Sequence, residues 1–180
     1  MAYATERFAE QGYHPTSVSE IVAGLGVGKG VFYWYFDSKE QLFLEILKAA
    51  QTDLRRRQQQ AIEGEDDPVR RIELGIRASM AWSEDHRDHN KLIQFAATEA
   101  AFGGALRRGQ EIAVADVVKH VKEAMAEGRV RDTDPDLLAH AMVGVAAHLT
   151  RVFIYERGEP AEATADAAVS FCLHGLLGDV

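Results

Sequence analysis

An all-α fold of about nine helices is the reading that three features of this 180-residue chain support. Apolar residues recur at spacings of three and four, and the alternating runs typical of strands are rare. Helix starts carry caps. Ser17 with Glu20 forms an S-x-x-E box, and Asp67-Pro68 and Asp134-Pro135 each set an acceptor before a proline that misses no amide bond. Helix ends carry Gly128 and Gly158, suited to left-handed C-caps, and Pro160 opens the last helix. Together these signals predict helices over about 2–11, 17–24, 28–34, 38–62, 68–87, 90–103, 106–127, 135–157 and 160–178. The first three are short and crowded into about 35 residues, and the later ones are long. That change of scale divides the chain into a small N-terminal module, residues 1–48, and a helical bundle, residues 49–180. Glu63-Gly-Glu-Asp-Asp67 is a polar loop after the connecting helix, and neither a repeat nor a low-complexity segment is present.

Charge is distributed unevenly. The net charge is −8, yet residues 1–60 hold seven Lys and Arg against seven Asp and Glu, and the remainder hold thirteen against twenty-one. A neutral first third on an acidic chain fits a protein that meets a polyanion with that part alone. The one cysteine, Cys172, lies in an apolar helical run and excludes a disulfide framework or a cysteine-based zinc site. No apolar run approaches the roughly 18 residues of a membrane span, and the start lacks the layout of a signal peptide, so a cytoplasmic protein with no membrane partner is expected. His86-Arg-Asp-His89 falls in a charged, loop-like stretch without cysteine and is not read as a metal site. Arg55-Arg-Arg57 reads as a solvated helix face. No nucleophile–base set and no metal cluster is found, so neither an enzyme nor a cofactor is expected.

In the N-terminal module, Val18, Ile21, Val22 and Leu25 make one apolar helix face, and Gly26-Val-Gly28 breaks the chain before a second short helix. Two helices across such a turn form a helix-turn-helix, whose second helix can enter a major groove. Val27 is expected to plug the space between them. Phe32-Tyr-Trp-Tyr-Phe36 then concentrates five of the chain's fifteen aromatic residues. At about 100° per residue, Phe32 and Phe36 share a face and pack inward against Phe8 and Ile21. Trp34 lies opposite with Val31 on its side, and Tyr33 and Tyr35 flank it. For Trp34 alone, packing on the connecting helix or a partner and contact with nucleic acid are equally consistent. Lys39 weights the second reading: a cation in the first turn opposes the helix dipole and fits an anion shared with the free amides there, such as a DNA phosphate. Lys29 can serve the adjacent strand.

Phe8-Ala-Glu-Gln-Gly-Tyr13, Thr16-Ser-Val-Ser-Glu-Ile21, Gly26-Val-Gly-Lys-Gly-Val-Phe-Tyr-Trp-Tyr-Phe36 and Ser38-Lys-Glu-Gln-Leu42 resemble, in order and spacing, the TetR/AcrR family of bacterial transcriptional regulators. The resemblance covers about residues 3–48. It implies that Ser17 and Lys29 touch the DNA backbone, that Val31, Tyr33, Trp34 and Tyr35 lie on the recognition helix, and that Lys39 clamps a phosphate. It also implies a homodimer joined through the last two helices, with an effector pocket in each C-terminal domain. Three departures stand out: Gly28 where members usually have Ser or Thr, Val31 where Thr or Ser is common, and a first helix that lacks the extra turn members usually carry before the position of Ala2. The last points to a truncated start or to weaker DNA binding.

In the bundle, Leu138, Met142, Val145, Leu149, Val152 and Phe153 form an apolar stripe, while Gly144 and Ala147 keep another face thin. Thr164, Ala168, Phe171 and Gly175 line one face of the last helix. These small residues, with Arg151, are the candidate dimer face of a four-helix interface; ordinary intrachain packing is the alternative. Met80, Trp82, Phe95, Phe102, Met125 and Met142 are candidates for an effector pocket, each also suited to a core, with Glu99 and His148 as polar groups within it. The expected function is a ligand-responsive regulator, a repressor released from a palindromic operator on double-stranded DNA by a small, mainly apolar effector. The alternative is a helical ligand-binding dimer that has lost DNA binding.

Overall fold

Local capping sets most helix boundaries. A computed structural model describes the backbone of residues 1–177 and the side chains of residues 1–173. Among the described residues nine α-helices follow one another: α1 Ala2–Gln11, α2 Val18–Gly24, α3 Lys29–Tyr35, α4 Lys39–Ile62, α5 Pro68–Asp85, α6 Arg87–Thr98, α7 Ala100–Ala126, α8 Pro135–Leu149 and α9 Ala161–Leu177. The Ser17 hydroxyl accepts from the Glu20 amide at 3.2 Å while the Glu20 carboxylate accepts from the Ser17 amide at 2.7 Å, closing the capping box. Asp67 and Asp134 accept from the amides of Val69 and Asp136, each at 2.9 Å, and Ser38 accepts from that of Gln41 at 3.1 Å. Helix α8 continues into π-helical turns over Thr150–Glu156.

The chain resolves into two compact units. The first comprises Met1–Thr52 and Arg87–Arg108; the second comprises Asp53–His86 and the residues from Gly109 onward. Helices α4 and α7 have residues in both. The unit holding the expected 1–48 module therefore runs to Thr52 and also takes in α6 and the start of α7. Its core is aromatic. Phe43 is fully buried, with ring centroids of Phe102, Tyr13, Phe8 and Phe95 at 4.5, 5.0, 5.5 and 5.7 Å. The second unit's core is aliphatic: Val69, Ile72, Ile76 and Met80 of α5 pack with Val121, Leu138, Met142, Ile154, Ala165 and Ala168. The Arg55–Arg57 stretch is ion-paired rather than merely solvated. Arg55 makes a two-pronged bond to Asp116 at 2.6 and 2.9 Å, and Arg57 meets Asp85 at 2.7 Å.

Two boundaries differ from expectation. The expected helix over 90–103 begins at Arg87 and ends at Thr98, so the His86–His89 stretch is a helix joint with His86 alone between α5 and α6. Helix α7 starts at Ala100 and runs on through 104–105, the gap expected between helices over 90–103 and 106–127. Burial of Phe95 on one side of the joint and Phe102 on the other decides this, and the Arg107 and Arg108 side chains lie back over Gly103 and Gly104, at 3.4 and 3.5 Å from where their Cβ atoms would stand. A third correction concerns apolar length. Because α8 runs on into its π-helical turns, Pro135–Glu156 is a 22-residue helix apolar and long enough to cross a membrane, with 22% of its apolar window buried. The expectation that no run approaches a span does not hold.

Gly24 allows the closest approach in the first unit: a Cβ there would stand 2.0 Å from the Tyr3 hydroxyl and 2.2 Å from its ring. Gly24→Ala should destabilise the fold by about 1–3 kcal/mol in chemical denaturation, and the loss should shrink in a Tyr3→Ala background. Asp134→Ala, which removes the α8 cap, should cost about 1 kcal/mol by the same measurement.

Candidate nucleic-acid interface

Helices α2 and α3 pack through Ile21, Val22 and Phe32, which join the core of Phe8, Leu42 and Phe43. Between them Gly26 takes φ +68°, a turn conformation that side-chain-bearing residues rarely adopt. Val27, expected as the plug between the helices, is exposed, and so is Leu25, while Phe32 is buried. The aromatic run divides as its helical angles require. Phe32 is 6% exposed and Phe36 half-buried, whereas Val31, Tyr33, Trp34 and Tyr35 all face outward, Trp34 at 80%. The Trp34 and Tyr35 rings lie 5.2 Å apart. Trp34 packs on neither a core nor α4, which removes the intrachain alternative for it. Lys29, at the start of α3, is exposed and has no ion pair among the described residues. The Ser17 hydroxyl accepts from the Glu20 amide within the capping box. The Ser17 amide and hydroxyl hold the Glu20 carboxyl below its usual range.

Lys39 departs from its expected role. Its ammonium reaches away from solvent to the carbonyl oxygens of Tyr13, Thr16 and His14 at 2.8, 2.9 and 3.3 Å and lies 4.3 Å from the centre of the Tyr13 ring. All three N–H donors are thus used within the chain. These carbonyls account for the cation in the first turn of α4 without a phosphate.

The eight pocket candidates divide between the two units. Met80 and Met142 are buried in the second unit's core with Met125 at its edge, and buried Trp82 donates its indole N–H to Asp53 at 2.7 Å. Phe95 and Phe102 belong instead to the aromatic core of the first unit, where Glu99 meets His14 at 3.2 Å. His148 is exposed and faces Arg151 at 3.4 Å. The dimer-face candidates divide too. Gly144, Ala147, Arg151 and Phe171 are exposed, but Thr164 and Ala168 are buried within the second unit, and the surroundings of Gly175 lie outside the described residues. The exposed face of α9 carries Ala163, Ala167, Ser170 and Phe171, one position off the expected stripe. On α8 it carries Leu137, Ala141, Gly144, Ala147, His148 and Arg151. Spacing alone did not separate these registers, because both faces of α9 are rich in small residues.

Residues 1–46 match the family described as bacterial regulatory proteins, tetR family. Over 186 aligned residues the chain is 27% identical to the uncharacterized HTH-type transcriptional regulator YdgC of Bacillus subtilis (strain 168), covering 97% of this chain and 89% of that one. The fatty acid metabolism regulator protein of the same organism is 32% identical over 90 residues, 50% of this chain and 45% of its own. Among solved structures, a TetR-like transcriptional regulator from Rhodococcus sp. RHA1 superposes with a TM-score of 0.79 at 21% identity, over 99% of this chain and 93% of that one. Residues 1–46 thus carry a DNA-binding module of the tetR type, and with these relatives the chain is similar throughout to ligand-responsive, DNA-binding transcriptional regulators.

Proposed function

We propose that the protein is a homodimeric repressor that reads a palindromic operator with α3 and is released by a small, mainly apolar effector bound in the second unit. The observation that carries the DNA-reading part is the outward face of α3. Three aromatic rings and a valine stand in solvent beside a lysine without an ion pair, on a helix whose opposite face is locked into a core. Tyr33 and Tyr35 can donate to phosphate, and Val31 and Trp34 can press on sugar or a thymine methyl. Ser17 and Lys29 supply backbone contacts. Lys39 is left out of the contact set. With so few cations on the face, the sequence-independent share of binding is small, and shape and base contact carry more of it.

Dimerisation supplies the second half-site that a head of this size needs for tight binding. The exposed stripes of α8 and α9 are the interface we assign, since they leave an apolar helix mostly uncovered within one chain. A second copy meeting them buries Leu137 and Phe171, both large and solvent-facing in the single chain. The apolar character of the effector is supported by the aliphatic and methionine-rich second core and by the name of the Bacillus relative that regulates fatty acid metabolism. Work of this kind belongs in the cytoplasm, where the DNA is.

Selection of bound duplexes from a random pool should return inverted half-sites. On the selected duplex, Tyr33→Ala should weaken binding at least tenfold, and Lys29→Ala should lower the salt dependence of binding by about one counterion; unchanged affinity in both variants contradicts the assignment. Phe171→Glu should convert the dimer to a monomer in sedimentation and abolish palindrome binding while leaving helix content intact. A dimer that survives the substitution contradicts the proposed face.

A further inference from the structure

The geometry points to the Tyr13–Thr16 connection between α1 and α2 as a relay that couples the α6–α7 joint to the reading helix, with Lys39 as the positioning residue at its far end. The inference deepens the DNA-binding reading above and rests on it. Two separate grips hold this four-residue segment. On one side, the Tyr13 ring stacks on Phe95 of α6 with centroids 5.1 Å apart and planes 27° apart, and meets Phe102 of α7 edge-on at 5.4 Å. Next to it His14 Nε2 lies 3.2 Å from Glu99 Oε1, the residue between α6 and α7, and the His14 ring stands 5.3 Å from Phe95. On the other side, three carbonyls of the segment converge on the Lys39 ammonium at 2.8, 3.3 and 2.9 Å. The buried Thr16 hydroxyl donates to the Gly12 carbonyl at 2.8 Å and keeps the segment folded on itself.

Lys39 is the first residue of α4, and only Asp37 and Ser38 separate it from Phe36, which caps α3. The Asp37 amide donates to the Gln41 side chain at 2.5 Å, tying that corner to the first turn of α4. A displacement at Glu99 therefore moves Tyr13 and His14, those carbonyls carry Lys39 with them, and Lys39 carries the α3–α4 corner. Each link is a contact between named groups, and none of them lies on the outward face of α3. An ammonium holding three carbonyls cannot also hold a phosphate without giving up a bond, so the role of Lys39 is to fix where α3 points. If only a fraction of heads is correctly posed, apparent affinity falls by that fraction at every salt concentration. Loss of a phosphate contact, by contrast, changes the salt slope.

The test uses the full chain and a mixed-sequence duplex, with binding measured from about 50 to 200 mM salt and amide hydrogen exchange followed in parallel. Lys39→Met should weaken binding by roughly tenfold across the salt range with an unchanged log–log slope. Exchange should speed up in α3 and in residues 13–16 but not in α9. Glu99→Gln should weaken binding severalfold alone and add nothing in the Lys39→Met background, since both act through one segment. Lys39→Gln, which keeps two amide donors, serves in the same cycle if the methionine variant does not fold. A slope smaller by about one with unchanged exchange would make Lys39 a phosphate contact and overturn the inference. Independent, multiplicative effects of the two substitutions would overturn it as well. A native chain that binds no duplex refutes the DNA-binding reading, and the exchange pattern of Glu99→Gln in α3 then decides the relay by itself.

Discussion

Burial of the Phe43 ring is the constraint on which the first unit depends. Four other rings converge on it from α1, the α1–α2 connection, α6 and α7. Each such pairing is worth about 0.5–1.5 kcal/mol beyond the area it buries. Phe32 joins the same cluster from α3. Because one face of a seven-residue helix is consumed in this way, the other has nothing to pack on, and the remaining rings of the run stand in solvent. The exposed aromatic face follows from the buried one: a helix this short has no room for a second core.

Electrostatics plays a smaller part than the family resemblance suggested. A cation beside the positive end of a helix would ordinarily be destabilising. Here the Lys39 side chain takes its charge to three carbonyl oxygens and to the face of the Tyr13 ring. Burial lowers its proton affinity, as expected for an ammonium partly withdrawn from water. The excess negative charge of the chain falls wholly beyond residue 60, leaving the N-terminal third neutral overall. The proposed recognition by α3 therefore leans on contact and shape more than on net attraction.

What could be read from sequence was what local chemistry decides. The capping box at Ser17, the Asp-Pro starts of α5 and α8, and the inward turn of Phe32 and Phe36 depend on neighbours within one or two turns, and all are present. The α6–α7 joint was not legible, because it is set by the distant partners of Phe95 and Phe102 rather than by a local cap. The carbonyl partners of Lys39 were hidden for the same reason: they lie 23 to 26 residues away. On α9, Thr164 and Ala168 were placed outward when they face the core, because small residues on both sides erase the contrast that periodicity needs. Tyr13, the hub between the α1–α2 connection and α6, carried no signal beyond its place in the Phe8–Tyr13 motif.

In the proposed complex the outward face of α3 meets the bases. The most direct measurement is photocrosslinking of the protein to a selected duplex substituted with 5-bromouracil, followed by peptide mapping. Crosslinks at Tyr33, Trp34 or Tyr35 are expected. Crosslinks confined to the second unit, with the α3 peptide unmodified, would contradict that complex.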